Sequence, residues 1–345
     1  MTSTQQPQRE PQSRRERRAS ALLDAEASAP RHARDRRAAR IGVGFAAIVA
    51  ASLLVGSAVA VTAALSGPAI AHDPVLNEDS SVDVPMPAAA KEIPAATDGA
   101  VALADDICAL DGVVAKLDAG EDEAAIIAAG GGEAVRSAIV AGRADCFSLD
   151  DPERQWVVIN KARPLDPIDY APSSLAGSEG VQSISGGKLR NDPAAALSEM
   201  AAAAAGDGAG VIALQSAYRS YTTQQSSYGT QVDSRGVAGA DMVSARPGYS
   251  EHQTGLAADV VACDGGCGTL DELAATPQGE WVAAESWRYG WIVRYEEGFT
   301  EISGYSPEPW HLRYVGNELA AAYHAGGYST LEDFFGLDAA PTYPQ

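Results

Sequence analysis

Residues 250–259 read SEHQTGLAAD and place two potential metal ligands, His252 and Asp259, seven positions apart. On an unbroken strand the two-residue period would send side chains at this spacing to opposite faces, so the chain must turn between them. Thr254-Gly255 is the expected turn, because glycine tolerates backbone angles that other residues avoid. The apolar run from Leu256 to Val261 then predicts a buried strand that directs Asp259 towards a histidine in the preceding loop.

A second motif, Glu308-Pro309-Trp310-His311, lies further along the chain. Two histidines and a carboxylate are a usual ligand set for a catalytic zinc ion that keeps its fourth position for water. Glu308 stands close enough to His311 to act on that water, and we expect Pro309 to interrupt any strand so that both side chains converge. A lone His-to-Asp spacing is weak evidence, since such residues commonly lie on solvated surfaces. We expect His324 at the surface, and it is the alternative ligand to His311.

Four stretches of the chain form an ordered set of motifs. They are residues 216–221 (SAYRSY), 246–259 (RPGYSEHQTGLAAD), 289–295 (YGWIVRY) and 308–316 (EPWHLRYVG). In this order they resemble the D-alanyl-D-alanine carboxypeptidases of the VanY type, which are zinc enzymes of bacterial peptidoglycan. The resemblance covers roughly Glu153 to Leu319, and the four motifs together are highly specific.

The resemblance implies a metal site and a general base. His252, Asp259 and His311 match the zinc ligands of that family, and Glu308 matches its catalytic base. Zn²⁺ is therefore the expected cofactor. None of these four positions departs from the family pattern.

The resemblance also implies a substrate. Arg219 and Gln224 match residues that hold the terminal carboxylate and backbone of the substrate, and Ser250 matches a further substrate contact. The expected reaction removes the terminal D-alanine from a peptidoglycan stem peptide. Trimming of an L,D-linked tetrapeptide, a D-Ala-D-Ala dipeptidase activity, and a non-catalytic peptidoglycan-binding module are the alternatives.

The chain begins with features of a membrane-anchored protein. Residues 1–40 contain ten arginines against five acids without apolar periodicity, which predicts a disordered basic cytoplasmic tail. Residues 41–65 carry no charge and predict a single transmembrane helix, with the rest of the chain outside by the positive-inside tendency. A cleaved signal peptide is the alternative, although this apolar stretch is longer than a typical signal core. Residues 66–99 are rich in Pro and Ala and predict a linker.

The charge of the chain restricts its partners. The formal net charge is −21 although the first 40 residues are basic, so the remainder is more acidic still. Such a surface repels nucleic acid and anionic headgroups. We therefore expect no nucleic-acid partner.

Residues 100–150 predict a small helical unit with breaks at Gly120 and at residues 130–132. The chain contains four cysteines, which allow three pairings. In an oxidising compartment the favoured disulfides are Cys108–Cys146 and Cys263–Cys267, and a free or metal-bound second pair is the alternative. The second pair lacks the partners of a zinc knuckle. The insert between Cys263 and Cys267 is not part of the family pattern. The resemblance therefore does not indicate the shape of one rim of the expected substrate cleft.

Residues 151–325 predict the catalytic domain, followed by a C-terminal tail at 326–345. Strands are expected at 156–160, 211–216, 256–261 and 292–295, and helices at 193–205, 222–232 and 280–289. The fold class is α+β, with a small antiparallel sheet flanked by helices. Asn191 or Asp192 is the expected cap of the first of these helices, with Pro193 at its first position.

The motifs of the chain disfavour one other class of peptidase and exclude a second. Ser185-Gly186-Gly187-Lys188 matches the S-x-x-K of penicillin-binding serine enzymes, but its glycines disfavour the required helix and the chain contains no K-T-G. An H-E-x-x-H motif is also absent, so a thermolysin-like site is excluded.

Overall fold

The computed structural model describes residues 106–344. The predicted basic tail (1–40), membrane helix (41–65) and linker (66–99) lie outside the described residues. Within residues 106–344, no helix combines the length and the apolar character that a membrane crossing needs.

After a 3₁₀ turn at Ile107–Ala109, the chain forms three short helices: α1 (Asp111–Asp118), α2 (Asp122–Ala128) and α3 (Gly132–Val140). The breaks fall where the glycines predict them. Gly120 has φ 72° and Gly130 has φ 102°, values in the left-handed region that side chains with a Cβ disfavour. The buried faces of these helices carry Val113, Leu117 and Val135.

Residues 211–314 contain a four-stranded sheet. Its strands are β1 (Val211–Ser216), β2 (Ala257–Cys263), β3 (Trp291–Tyr295) and β4 (Glu308–Tyr314), in the order β1-β2-β4-β3. Every neighbouring pair is antiparallel. The expected small antiparallel sheet is therefore confirmed.

Helices flank the sheet. They are α4 (Asn191–Gly206), α5 (Tyr221–Asp241), α6 (Pro277–Glu285), α7 (Thr300–Ser303), α8 (Asn317–Ala325) and α9 (Leu331–Phe334). Leu197 and Met200 of α4 share one apolar core with Leu214, Val260 and Leu312 of the sheet. Asp259 alternates with Val260 along β2, so it lies on the sheet face opposite this core.

Several predicted boundaries need correction. Helix α4 begins at Asn191 with Arg190 at its N-cap, so neither Asn191 nor Asp192 caps it and Pro193 is its third residue rather than its first. Proline is tolerated there because the first-turn N–H groups have no intrahelical acceptor. Helix α5 runs beyond residue 232 to Asp241, with a non-helical residue at Gly236. The predicted helix at 280–289 divides into α6 and a 3₁₀ turn at Ser286–Tyr289.

The strand expected at 156–160 is not formed. Trp156, Val157 and Ile159 are buried as a strand would be, but this segment makes only an isolated bridge between Asn160 and Arg163. The carbonyl of Val157 instead accepts a hydrogen bond from the guanidinium of Arg313. A side chain therefore takes the place of a neighbouring strand.

The segments on either side of the predicted catalytic domain pack into it. Val113 and Val135 of the first helices share one core with Leu319 of α8 and Phe334 of α9. Residues 326–345 were expected as a tail, yet Leu331, Phe334 and Phe335 are buried. The physical reason is that these large apolar side chains cover a face of α8 that would otherwise be exposed.

Both predicted disulfides are present. Cys108 pairs with Cys146 across the helical unit, and Cys263 pairs with Cys267 at the end of β2. No cysteine of the described chain is free.

Candidate metal centre

The loop that carries His252 is fixed by its own sequence. Residues Glu251–Thr254 form a 3₁₀ turn, and Gly255 follows with φ 72° as the expected turn residue. Thr254 Oγ1 donates to the carbonyl of Glu251 and accepts from the backbone N–H of Leu256. The buried amide of Gln253 donates to the carbonyls of two residues in an earlier loop, Ile168 and Tyr170.

The sheet brings the other two candidate ligands together. Asp259 of β2 and His311 of β4 are directly paired in the antiparallel ladder. Directly opposed residues have Cβ atoms about 5 Å apart on the same face. His252, Asp259 and His311 are all buried, and one ligand atom from each lies within 4.8 Å of the others.

Pro309 acts differently from the prediction. It lies inside β4 rather than ending a strand, so Glu308 and His311 belong to the same element. The pairing between β3 and β4 shifts register in this region, between Val293 and Tyr295. The irregular ladder allows side chains three positions apart to lie 3.8 Å from each other, measured from Glu308 Oε2 to His311 Nδ1.

Hydrogen bonds determine which histidine nitrogens face the centre. His252 Nδ1 lies 2.8 Å from the carbonyl oxygen of Ala217, which can only accept, so this nitrogen carries the proton. Its Nε2 faces Asp259 Oδ2 at 3.2 Å. His311 Nε2 faces Glu251 Oε2 at 3.2 Å, and its Nδ1 faces Asp259 Oδ1 at 3.1 Å.

The charges of the site favour a cation between these groups. Burial, and then the charge of Arg219, lower the pKa of His252 to about 4, so its Nε2 presents a lone pair to the Asp259 carboxylate. Burial lowers the pKa of His311, but hydrogen bonds to Asp259 and Glu251 outweigh it and raise that pKa to about 9. A positive charge is therefore favoured between His311 and Asp259, and a metal ion can supply it in place of the proton.

The donor set fits a zinc ion. Two imidazole nitrogens and one carboxylate oxygen are among the usual ligands of catalytic zinc. Burial alone would raise the pKa of Asp259, but the neighbouring histidines hold it well below its usual range, so its oxygens are available as ligands. His324 is exposed and stacks on Trp287, so His311 and not His324 belongs to the site.

Glu308 lies beside the three ligands with only 14% of its side chain exposed. Burial raises the pKa of Glu308 to about 7, where a carboxyl group can both accept and return a proton near neutral pH. A cation held by the ligands would lower this pKa again.

A cleft of about 540 Å³ opens above these residues and is lined by Arg219, Ser250 and Glu308 as well as the three ligands. Leu270 and Asp271, which follow the insert closed by Cys263 and Cys267, line it as well. They supply the rim that the motifs left unspecified.

Two of the three predicted substrate contacts face this cleft. Arg219 Nε is buried and has no hydrogen-bond partner among residues 106–344, and Ser250 lines the same cavity. Gln224 does not line it; its Oε1 accepts from Arg219 Nη1 at 3.0 Å, and its Nε2 donates to the carbonyl of Ala245. Gln224 therefore orients Arg219.

Sequence reasoning missed a buried ionic network behind His311. Glu251 Oε1 accepts from Arg294 Nε at 3.0 Å and from Arg313 Nη1 at 2.9 Å, and Arg294 also pairs with Glu332. All four side chains have no exposed surface. The sequence did contain a signal for this network. A single arginine stands within each of two mainly apolar motifs, Arg294 in GWIVRY and Arg313 in WHLRYV.

Comparisons with known proteins show which family the chain is similar to. The family profile described as VanY, D-alanyl-D-alanine carboxypeptidase, matches residues 186–317. A Bacillus subtilis (strain 168) protein named "Putative carboxypeptidase YodJ" is 35% identical over 192 residues, which span 54% of this chain and 69% of that protein. A D-alanyl-D-alanine carboxypeptidase of Enterococcus faecalis (strain ATCC 700802 / V583) is 34% identical over 188 residues, 51% of this chain and 65% of that protein.

A solved structure of the LdcB LD-carboxypeptidase is also similar. It is 35% identical, with a TM-score of 0.50, and the match covers 54% of this chain and 87% of that one. That structure reveals the molecular basis of peptidoglycan recognition by LdcB. The motifs, the buried ligand set and these relatives together show that the chain is a peptidase and belongs to the VanY family of D-alanyl-D-alanine carboxypeptidases.

Proposed function

We propose that the protein is a zinc-dependent carboxypeptidase that removes the terminal D-alanine from peptidoglycan stem peptides. The observation that carries this proposal is the convergence of three buried ligands, the carboxyl group of Glu308 and the free guanidinium edge of Arg219 on one cleft. His252, Asp259 and His311 would hold the metal. Zinc in such a site supplies Lewis-acid activation of the attacking water and of the scissile carbonyl.

Three residues of the chain have the other roles in the proposed reaction. Glu308 accepts the proton of the attacking water and returns it to the amine nitrogen of the departing D-alanine. Arg219 offers two parallel N–H donors to the terminal carboxylate of the substrate, which selects a free C-terminus over an internal peptide bond. Gln224 holds the Arg219 guanidinium in place through its Oε1.

Hydrolysis of an L,D-linked tetrapeptide is a second candidate, favoured by the similarity to the LD-carboxypeptidase LdcB. The two activities use the same ligands and base and differ in the residue that precedes the scissile bond. A D-Ala-D-Ala dipeptidase activity and a non-catalytic peptidoglycan-binding role are the remaining alternatives.

Mass spectrometry of defined peptides incubated with the purified protein tests these candidates. Release of one D-alanine from a pentapeptide ending in D-Ala-D-Ala supports the proposal, and release from the tetrapeptide alone supports the L,D-activity. Both reactions should stop with a chelator and return with zinc. Binding of peptidoglycan without released D-alanine would contradict both candidates.

We also propose that the protein is anchored in the cell membrane by residues 41–65, with its N-terminus in the cytoplasm and the catalytic part outside. The uncharged sequence and the arginines before it support this arrangement. The two disulfides, which persist in oxidising compartments, support it independently. Protease digestion of intact spheroplasts should remove the catalytic part and spare an N-terminal tag; protection of the catalytic part would contradict the proposal.

A further inference from the structure

We infer that Glu251 is a positioning residue of the metal centre: clamped by two buried arginines, its carboxylate holds His311 in the tautomer whose Nδ1 faces the metal. This inference rests on the proposed zinc site and adds a residue to it. Glu251 is adjacent to the ligand His252 in sequence, yet its side chain contacts the other histidine, His311.

The two carboxylate oxygens of Glu251 have different partners, the arginines for one and His311 for the other. Oε1 accepts from Arg294 Nε at 3.0 Å and from Arg313 Nη1 at 2.9 Å. Oε2 lies 3.2 Å from His311 Nε2. Guanidinium groups can only donate, so the clamp fixes Glu251 as an acceptor, and His311 Nε2 must supply the proton of the third contact.

This contact decides which nitrogen of His311 is free. With Nε2 protonated, Nδ1 keeps its lone pair, and Nδ1 is the atom that lies 3.1 Å from Asp259 Oδ1 and 3.8 Å from Glu308 Oε2. Outer partners that hold a ligand histidine in one tautomer typically contribute 10- to 100-fold to metal affinity. Glu251 is placed to make that contribution.

Arg294 makes a second ion pair, separate from its contact with Glu251, with the C-terminal segment. Arg294 donates to both oxygens of Glu332 in α9, at 3.0 and 2.8 Å, and Asn160 Nδ2 donates to Glu332 Oε1 at 2.9 Å. Glu332 lies beyond residues 186–317, the part matched by the family profile. It supports Arg294 without touching a metal ligand, which makes it a matched control for removal of a buried carboxylate.

Glu251→Gln in the full-length protein tests the inference. A glutamine cannot serve both sides: its amide NH₂ facing His311 would move the proton to Nδ1, and facing the arginines it would oppose their N–H donors. Zinc affinity, measured by chelator competition, should fall about 10- to 100-fold in Glu251→Gln and stay within about threefold in Glu332→Gln. The d–d absorption of the Co²⁺ form should change in Glu251→Gln and not in Glu332→Gln.

Equal zinc affinity in wild type and Glu251→Gln, or an equal loss in both variants, would overturn the inference while leaving the zinc enzyme intact. Failure of the wild type to bind zinc would overturn the proposed function as well. If Glu251→Gln does not fold, ¹⁵N-histidine NMR of the zinc-loaded wild type decides: the inference requires a proton on His311 Nε2, and a proton on Nδ1 contradicts it.

Discussion

Asp259 and His311 stand directly opposite each other in the antiparallel pairing of β2 and β4, and Asp259 Oδ1 lies 3.1 Å from His311 Nδ1. Cross-strand pairing places two ligands on rigid elements, so the sheet itself sets their separation. His252 joins them from the 3₁₀ turn before β2, where Gln253 and Thr254 hold the loop. The geometry of the candidate metal site therefore follows from the sheet register and one tight turn.

Glu308→Gln should leave zinc bound and reduce turnover by about 10²- to 10⁴-fold, because the amide cannot accept the proton of the attacking water. Zinc content and D-alanine release from the same preparation measure the two effects. Glu301→Gln, on the exposed part of α7, is the matched control and should behave as wild type. Near-normal turnover in Glu308→Gln would show that another group is the base.

Arg219→Ala should reduce kcat/KM by about 10- to 100-fold, because a hydrogen bond to a charged group contributes roughly 1.5–3 kcal/mol. The variant should also stop distinguishing a peptide acid from the corresponding C-terminal amide, whereas wild type should cleave only the acid. Arg235→Ala is the control, since that arginine lines the cleft but is exposed and bonded to Gln231. Retained acid preference in Arg219→Ala would remove Arg219 from the carboxylate site.

Gly132→Ala should destabilise the protein by about 1–3 kcal/mol, the usual cost of overpacking a tight contact. A Cβ at Gly132 would lie 2.1 Å from the carbonyl oxygen of Glu318, where helix α3 meets α8. Gly229→Ala, in α5 with open space around it, should be neutral or stabilising by up to about 1 kcal/mol. Denaturant unfolding of both variants measures this, and equal stability would show that α3 is not docked on α8.

Glu332→Gln should lower the free energy of unfolding at pH 7 by about 3–5 kcal/mol, because it breaks a buried ion pair with Arg294. Burial alone would raise the pKa of Glu332, but the charge of Arg294 outweighs it and holds that pKa below the usual 4.5. A carboxylate whose pKa is lowered by folding stabilises the folded state above pH 4.5. This stabilisation is lost as the pH falls through the pKa of the group in the folded protein.

The difference between wild type and Glu332→Gln should therefore be largest above pH 4.5 and shrink below it. The free energy of unfolding of both zinc-free proteins, measured between pH 7 and pH 3, gives this difference. The carboxylates that the two proteins share contribute equally to both values and cancel in the difference. A difference that stays constant over that range would show that Glu332 keeps an unperturbed pKa in the folded protein.

Local patterns were sufficient to predict three of the four strands and the convergence of His252, Asp259 and His311. The apolar runs that became β1, β2 and β3 have lengths typical of strands, and Gly255 adopts the left-handed conformation expected between His252 and Asp259. The segment at 156–160 shows the limit of this reasoning. Its apolar residues are buried as predicted, but backbone pairing depends on a neighbour, and Arg313 occupies that place.

Long-range packing was not predictable from such patterns. Nothing local to residues 326–345 shows that Glu332 meets Arg294, or that Phe334 shares a core with Val113. Gln224 was predicted as a substrate contact from its motif, whereas its position behind Arg219 depends on how α5 packs. Contacts between segments far apart in sequence require the tertiary structure.

The central claim is that His252, Asp259 and His311 hold one zinc ion. Crystals of the zinc-loaded protein, measured on both sides of the zinc absorption edge, test it most directly. We expect one anomalous peak about 2.0–2.2 Å from His252 Nε2, His311 Nδ1 and an Asp259 oxygen. Zinc-loaded crystals with no peak among these three side chains would contradict it.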